Sequence, residues 1–162
     1  MLIDTIDGKN IMERIEEIEE YLSKCEDLEE KEIIFTIYEQ YYCKEIIPYY
    51  CRLAYDLIIH EQDNQSILNY FYKLQNAYYY HSNELDIALL YSHAVCFCVY
   101  NISLEINEEI VKDLKKIYKR SNHQEIYLDL LMVLFTYYHE SSYTYKETRK
   151  ELLGLLKLKD ES

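Results

Sequence analysis

The chain has 162 residues, enough for one domain with a core of its own, and its formal net charge of −13 excludes a basic nucleic-acid-binding surface. Hydrophobic residues at 49% exclude disorder, while two Gly and one Pro are too few for the turns of an all-β fold. The expectation is a single all-α domain over 1–162, with a short N-terminal tail over 1–9.

About eight antiparallel helices are expected. The first runs from Ile11 to Lys24, because Ile11, Ile15, Ile18 and Leu22 recur at helical steps. Asn10 and Glu13 suggest a capping box at its start. The second begins after Asp27, with Ile33, Ile34, Ile37, Tyr38 and Tyr41 facing inward. Pro48 fits the first turn of a third helix that ends at His60. Polar residues 61–65 form a loop before a fourth helix, Ser66–Tyr80, with Ile67, Leu68, Phe71, Leu74 and Tyr78 inward.

The fifth helix, Glu84–Tyr100, is expected to be capped by Asn83. It is apolar on most sides, with Leu85, Ile87, Ala88, Leu89, Leu90, Ala94, Val95 and Phe97, which marks it as the central helix. A sixth follows Asn107, with Glu108 and Glu109 favouring its N-terminal dipole. A seventh starts near Asn122 and Glu125, with Ile126, Leu130, Leu131, Leu134 and Phe135 inward. An eighth starts at Thr144 and uses Leu152, Leu155 and Leu156. Ile67, Leu68, Phe71 and Leu74 match Ile110, Val111, Leu114 and Ile117 at a constant offset. The arrangement is therefore either a helical-repeat-like stack of hairpins or a compact helical bundle.

Cys25, Cys43, Cys51, Cys96 and Cys98 have no framework spacing and read as buried, reduced thiols of a cytoplasmic protein. The N-terminus lacks a signal-peptide pattern, and the apolar run Ala94–Tyr100 is too short to span a bilayer. No membrane association is expected.

Catalytic and cofactor motifs are sparse. Gly8 and Gly154 cannot build a phosphate loop, and no HExxH occurs. Cys96 and Cys98 point apart on a helix; His93 and Cys96 share a face but lack two further metal ligands. Arg52 and His60 are too widely spaced for the Arg-x4–6-His motif of helical ribonucleases, and Arg120 and His123 too closely. No catalytic, cofactor or metal residue is assigned.

Two features point to binding. Residues 1–40 hold 13 acids and 4 bases, and Glu13, Glu16, Glu17 and Glu20 form a stripe opposite the apolar face of the first helix. Like charges at four-residue spacing cost roughly 0.2–0.5 kcal/mol each, so the stripe is either a solvated face or a dock for a basic protein. Tyrosine occurs 20 times without Trp. Codon bias accounts for the abundance, whereas runs at Tyr41-Tyr42 and Tyr78-Tyr79-Tyr80 must each expose a ring, and exposed tyrosines make good interface anchors. The expected function is a non-enzymatic protein-binding module, most simply an acidic inhibitor, immunity protein or antagonist of a basic partner protein. A helical adaptor or assembly subunit is the alternative, and an enzyme with an unrecognised helical site the third.

Overall fold

The computed structural model describes residues 2–8, 10–121, 124–137, 146–147, 149–150 and 153–154. Among them the chain is all-helical, with no strand. A short 3-10 helix, Ile3–Thr5, precedes α1 (Ile15–Lys24), α2 (Leu28–Gln40), α3 (Ile47–His60), α4 (Asn64–Tyr80), α5 (Leu85–Ile102), α6 (Glu108–Ser121) and α7 (Gln124–Tyr137). The Asn122 start of α7 and the eighth helix, with Leu152, Leu155 and Leu156, lie outside the described residues. The chain groups into two compact units, 1–91 and 92–162, divided within α5.

In the first unit α3 packs against both α2 and α4. Its buried face carries Tyr50, Cys51, Ala54, Leu57 and Ile58. Pro48 sits in the first turn, where its missing N–H costs no helical bond. Asp27 caps α2 by accepting from the Glu29 N–H at 3.0 Å. The buried face of α2 is Lys31, Ile34, Phe35 and Tyr38, which keeps Ile34 and Tyr38 of the expected set but not Ile33, Ile37 or Tyr41. Ile33 is 41% exposed and Phe35 only 2%. A run of consecutive apolar residues leaves the phase of a helix open, and here the aromatic ring took the inside. Phe35 stacks on Tyr50, centroids 4.7 Å apart, and meets Tyr70 edge-on at 5.3 Å.

Three helix starts differ from expectation. Asn10 does not cap α1: its Oδ1 accepts from the Asp7 N–H at 2.9 Å, while Asp7 Oδ1 accepts from the Asn10 N–H at 3.0 Å. That reciprocal turn delays regular α-helix to Ile15, although Ile11 is already buried. Helix α4 starts earlier than Ser66, because Asp63 accepts from both the Ser66 N–H and its hydroxyl. The Glu84 carbonyl, not Asn83, opens α5 by accepting from the Ala88 N–H at 3.1 Å. Asn107 caps α6 as expected, accepting from the Ile110 N–H at 2.9 Å.

Helix α5, apolar on most sides, buries only some of the residues named for it. Ile87, Ala88, Tyr91, Ala94, Val95 and Cys98 are buried, whereas Leu90 and Phe97 are half-buried and Leu85 is exposed. Tyr91 stacks on Tyr78 at 4.4 Å, nearly parallel, and on Phe71 at 6.1 Å. By length and composition α5 is apolar enough to cross a bilayer, a property shared by core helices of soluble proteins. It ends with Ser103 at φ 53° and the Leu104 N–H bonded to the Cys98 carbonyl, the left-handed closure usually made by Gly. In the second unit α6 packs on α7 through Ile110, Val111, Leu114, Ile117 and Tyr118 against Ile126, Tyr127, Leu130 and Val133.

Phe71 is fully buried, so Phe71→Ala is expected to lower the unfolding free energy by roughly 3–5 kcal/mol, whereas Leu90→Ala at a half-buried position costs less than about 2 kcal/mol. Urea denaturation of both variants measures the order, and equal costs would contradict this placement of the core.

Candidate functional site

The residues singled out in the sequence do not converge on one place. Glu13, Glu16, Glu17 and Glu20 are all exposed on α1 or the turn before it. Arg14 forks onto Glu17, with Nε and Nη2 at 3.1 and 3.2 Å, and its guanidinium holds that carboxyl below the usual range. Glu20 pairs with Lys24 at 3.3 Å. Glu13 and Glu16 have no cation within ion-pair distance among the described residues. Exposed pairs of this kind add little stability, so the face remains a solvated acidic surface.

The tyrosines separate by position. Tyr41 is half-buried with its ring over Gly8, where a Cβ would clash with it. Tyr42 is exposed, edge-on to Tyr50 at 5.1 Å. Tyr78 belongs to the core, and Tyr79 and Tyr80 are exposed, Tyr80 to 84%. Tyr72, about two turns before them on α4, is exposed as well.

The structure adds a cleft that spacing arguments could not reveal. It has a volume of about 700 Å³ and lies among α1, the α1–α2 turn, α2 and α3. Its polar lining is Glu19, Glu26, Lys31, Arg52, Asp56 and His60, and its apolar walls are Leu22, Leu28 and Leu53. Lys31 is buried, and its Nζ meets Asp56 Oδ2 at 2.8 Å. His60 Nδ1 lies 3.0 Å from the other Asp56 carboxylate oxygen and 2.8 Å from the Asp56 carbonyl. Arg52 places its guanidinium 4.9 Å from the Tyr49 ring centroid. Glu19 accepts a 2.8 Å hydrogen bond from the Tyr38 hydroxyl. Arg52 and His60, set apart by their spacing in sequence, thus line one cleft, two turns apart on α3.

Burial pushes the Glu19 carboxyl up, against the opposing pull of the Tyr38 hydrogen bond and the Arg52 charge. The same carboxylate and burial push the Tyr38 hydroxyl well above its ordinary value, so it stays a donor. Cys25, at the edge of the cleft, has its thiol pushed up mainly by burial; its Sγ lies 3.5 Å from both the Asp27 carbonyl and Glu30 Oε2. A thiol held protonated is a poor nucleophile. His60 is turned back onto its own helix.

A second polar cluster sits in the second unit. Asp129 on α7 is buried and accepts from the wholly buried Ser92 hydroxyl at 3.1 Å. His93 Nδ1 lies 3.1 Å from the same carboxylate oxygen. The Cys96 thiol is pushed up to about 12, first by burial and then by Asp129. Sequence spacing paired His93 with Cys96; their shared partner 33 residues further on was invisible to it. No group of three or more ligating side chains able to hold a metal occurs among the described residues. With Ser92 sealed from solvent and Cys96 protonated, the cluster ties α5 to α7. All five cysteines are free thiols, but only Cys51 and Cys98 are buried as expected, Cys25, Cys43 and Cys96 being half-buried; burial pushes the thiols of Cys51 and Cys98 to about 12 as well.

Compared with protein-family models, with curated proteins and with solved structures, the chain matches none.

Two stability measurements test these sites. Asp129→Ala leaves the buried Ser92 hydroxyl without its acceptor, and is expected to cost roughly 1–3 kcal/mol in denaturant unfolding. Glu19 binds its proton more tightly folded than unfolded, so its contribution lowers stability as pH rises from about 4.3, the unfolded value, through the raised folded value. Glu19→Gln keeps an acceptor for Tyr38 and removes the charge. It is expected to be more stable than the native chain at pH 7, with the difference vanishing below about pH 4, in paired melting curves.

Proposed function

We propose that the protein is a non-enzymatic protein-binding module that docks a basic partner protein on its acidic α1 face, as an inhibitor, immunity protein or antagonist would. The observation that carries this reading is the exposure of all four stripe carboxylates, with Glu13 and Glu16 unpaired among the described residues. Exposed Glu26, Asp27 and Glu29 continue the negative surface into the start of α2. Glu16 and Glu17 in the first turn of α1 and Glu29 in that of α2 also suit helix dipoles, which accounts for some of the acids but not for Glu13, Glu20 or Glu26. The net charge of −13 opposes nucleic acid and favours a partner of opposite sign, and the free thiols suit the cytoplasm.

A second reading, a helical adaptor or assembly subunit, draws on Tyr72, Tyr79 and Tyr80, three exposed rings on α4. In that reading α4 and α6 are the equivalent first helices of two hairpins: Ile67, Phe71 and Leu74 are buried like their counterparts Ile110, Leu114 and Ile117, whereas Leu68 is half-buried and its counterpart Val111 buried.

The test is calorimetric titration of a Lys/Arg-rich 20-residue peptide at two ionic strengths. Reversing the unpaired charges, in Glu13→Lys with Glu16→Lys, is expected to weaken low-salt binding on the order of tenfold and to flatten its salt dependence. Melting temperature is expected to hold or rise slightly, because like-charge pairs with Glu17 and Glu20 become attractive. Unchanged affinity at both salts would move the function to the tyrosine-bearing face of α4.

A further inference from the structure

The charges lining the cleft of the first unit are unequal in a way that their number hides. Both cations are engaged. Lys31 is locked on Asp56 at 2.8 Å, and Arg52 lies over the Tyr49 ring. The carboxylates Glu19 and Glu26 have no cation within ion-pair distance among the described residues. Glu19 is half-buried, and its one hydrogen-bond donor, the Tyr38 hydroxyl, engages Oε1. A carboxylate partly withdrawn from water, with the Arg52 charge acting on it only from beyond ion-pair distance, is costly in the empty protein, and that cost falls when a cation arrives in contact. An anion entering the cleft would meet three carboxylates, Glu19, Glu26 and Asp56, against the two cations Lys31 and Arg52.

The walls narrow the choice of cation. Leu22, Leu28 and Leu53 supply apolar surface beside the carboxylates. A bare metal ion gains nothing from leucines, whereas the methylene stem of a basic side chain does. Tyr49 already stacks a guanidinium on the same side of α3, so the protein's own Arg52 shows how such a group is held there.

We propose that this cleft seats one basic side chain of the partner, an arginine or lysine whose cationic head meets Glu19 and Glu26 while its aliphatic stem lies along Leu22, Leu28 and Leu53. The proposal rests on the basic-partner reading above and adds an anchor to it. The exposed stripe steers the partner by long-range attraction, and the cleft holds one residue of it in a desolvated contact. Interface energy concentrates at such buried anchors rather than on exposed rims.

The test uses the full chain and three small probes, read by amide chemical shifts. Capped arginine (Nα-acetyl-arginine-amide) carries one positive charge, capped citrulline has nearly the same shape without it, and capped aspartate carries a negative charge. Capped arginine is expected to shift amides around Glu19, Lys31 and Asp56 saturably, and capped citrulline is not. Glu19→Gln is expected to weaken the capped-arginine titration at least about fivefold, as loss of a charge-assisted contact does, while melting no lower than the native chain. Glu26→Gln, on the exposed rim, is expected to weaken it less and provides the same readout if Glu19→Gln does not fold. Equal binding of citrulline, cleft binding of capped aspartate, indifference to both substitutions, or no saturable shift in the cleft would each overturn the anchor. The two readings fail separately. If charge reversal at Glu13 and Glu16 weakens the long basic peptide but capped arginine ignores the cleft, the docking face stands and the anchor falls. If the reversal has no effect while capped arginine fills the cleft in a Glu19-dependent way, the anchor stands and the face falls.

Discussion

The buried ion pair between Lys31 and Asp56 is the contact on which the geometry of the first unit depends. Lys31 lies on the inner face of α2, one turn before Ile34 and Phe35, where an uncompensated ammonium would cost several kcal/mol. It is tolerated because Asp56 on α3 reaches it at 2.8 Å, which sets the register of α2 against α3. Replacing such a pair with well-packed apolar residues is often neutral or favourable, whereas removing one partner is strongly unfavourable. The pair is therefore better understood as a positional constraint than as a large source of stability. It brings Phe35 onto Tyr50 and leaves Asp56 and His60 on the wall of the cleft.

A second polar tie links α1 to the same frame. Glu19 is the one carboxylate of α1 that is half-buried rather than exposed, and it accepts from Tyr38, itself fully buried on α2. Ile15 and Ile18 supply the apolar contact of α1, and the Tyr38–Glu19 bond sets the rotation of the helix about its axis. With that rotation fixed, Glu16, Glu17 and Glu20 must face outward. The acidic face and the floor of the cleft are thus opposite consequences of one helix orientation, and a substitution that turns α1 would disturb both.

Much of the helical frame was legible in the sequence because its signals are local. Asp27 and Asn107 form caps, Pro48 opens α3, and Ile67, Phe71 and Leu74 repeat at helical spacing. What failed was phase within long apolar runs: Ile33 against Phe35 in α2, and Leu90 and Phe97 against Tyr91 in α5. A run apolar on most sides carries little periodic information, so packing with other helices decides which side is inward. Polar competition explains the late start of α1, since Asp7 and Asn10 bond each other before either can cap. The cleft was hidden for a different reason. Glu19, Lys31, Arg52 and Asp56 come from three helices, and each alone looks like an ordinary helix-surface charge. The exposed stripe was visible because its members share one helix, which is also why sequence reasoning gave it more weight than the cleft beside it.

The two acidic features differ in what they ask of the free protein. Exposed carboxylates such as Glu13 and Glu16 are well hydrated, and their mutual repulsion is screened over about 8 Å at physiological salt. They cost the fold little and can arise simply as a solvated face. Glu19 is different, because its surroundings push its carboxyl up and thereby penalise the charged form. A neutral acceptor such as glutamine would satisfy Tyr38 equally well without that penalty. Within this fold, then, Glu19 offers more negative charge than stability needs, at a place where leucine walls and an excess of carboxylates over cations suit a cation from outside.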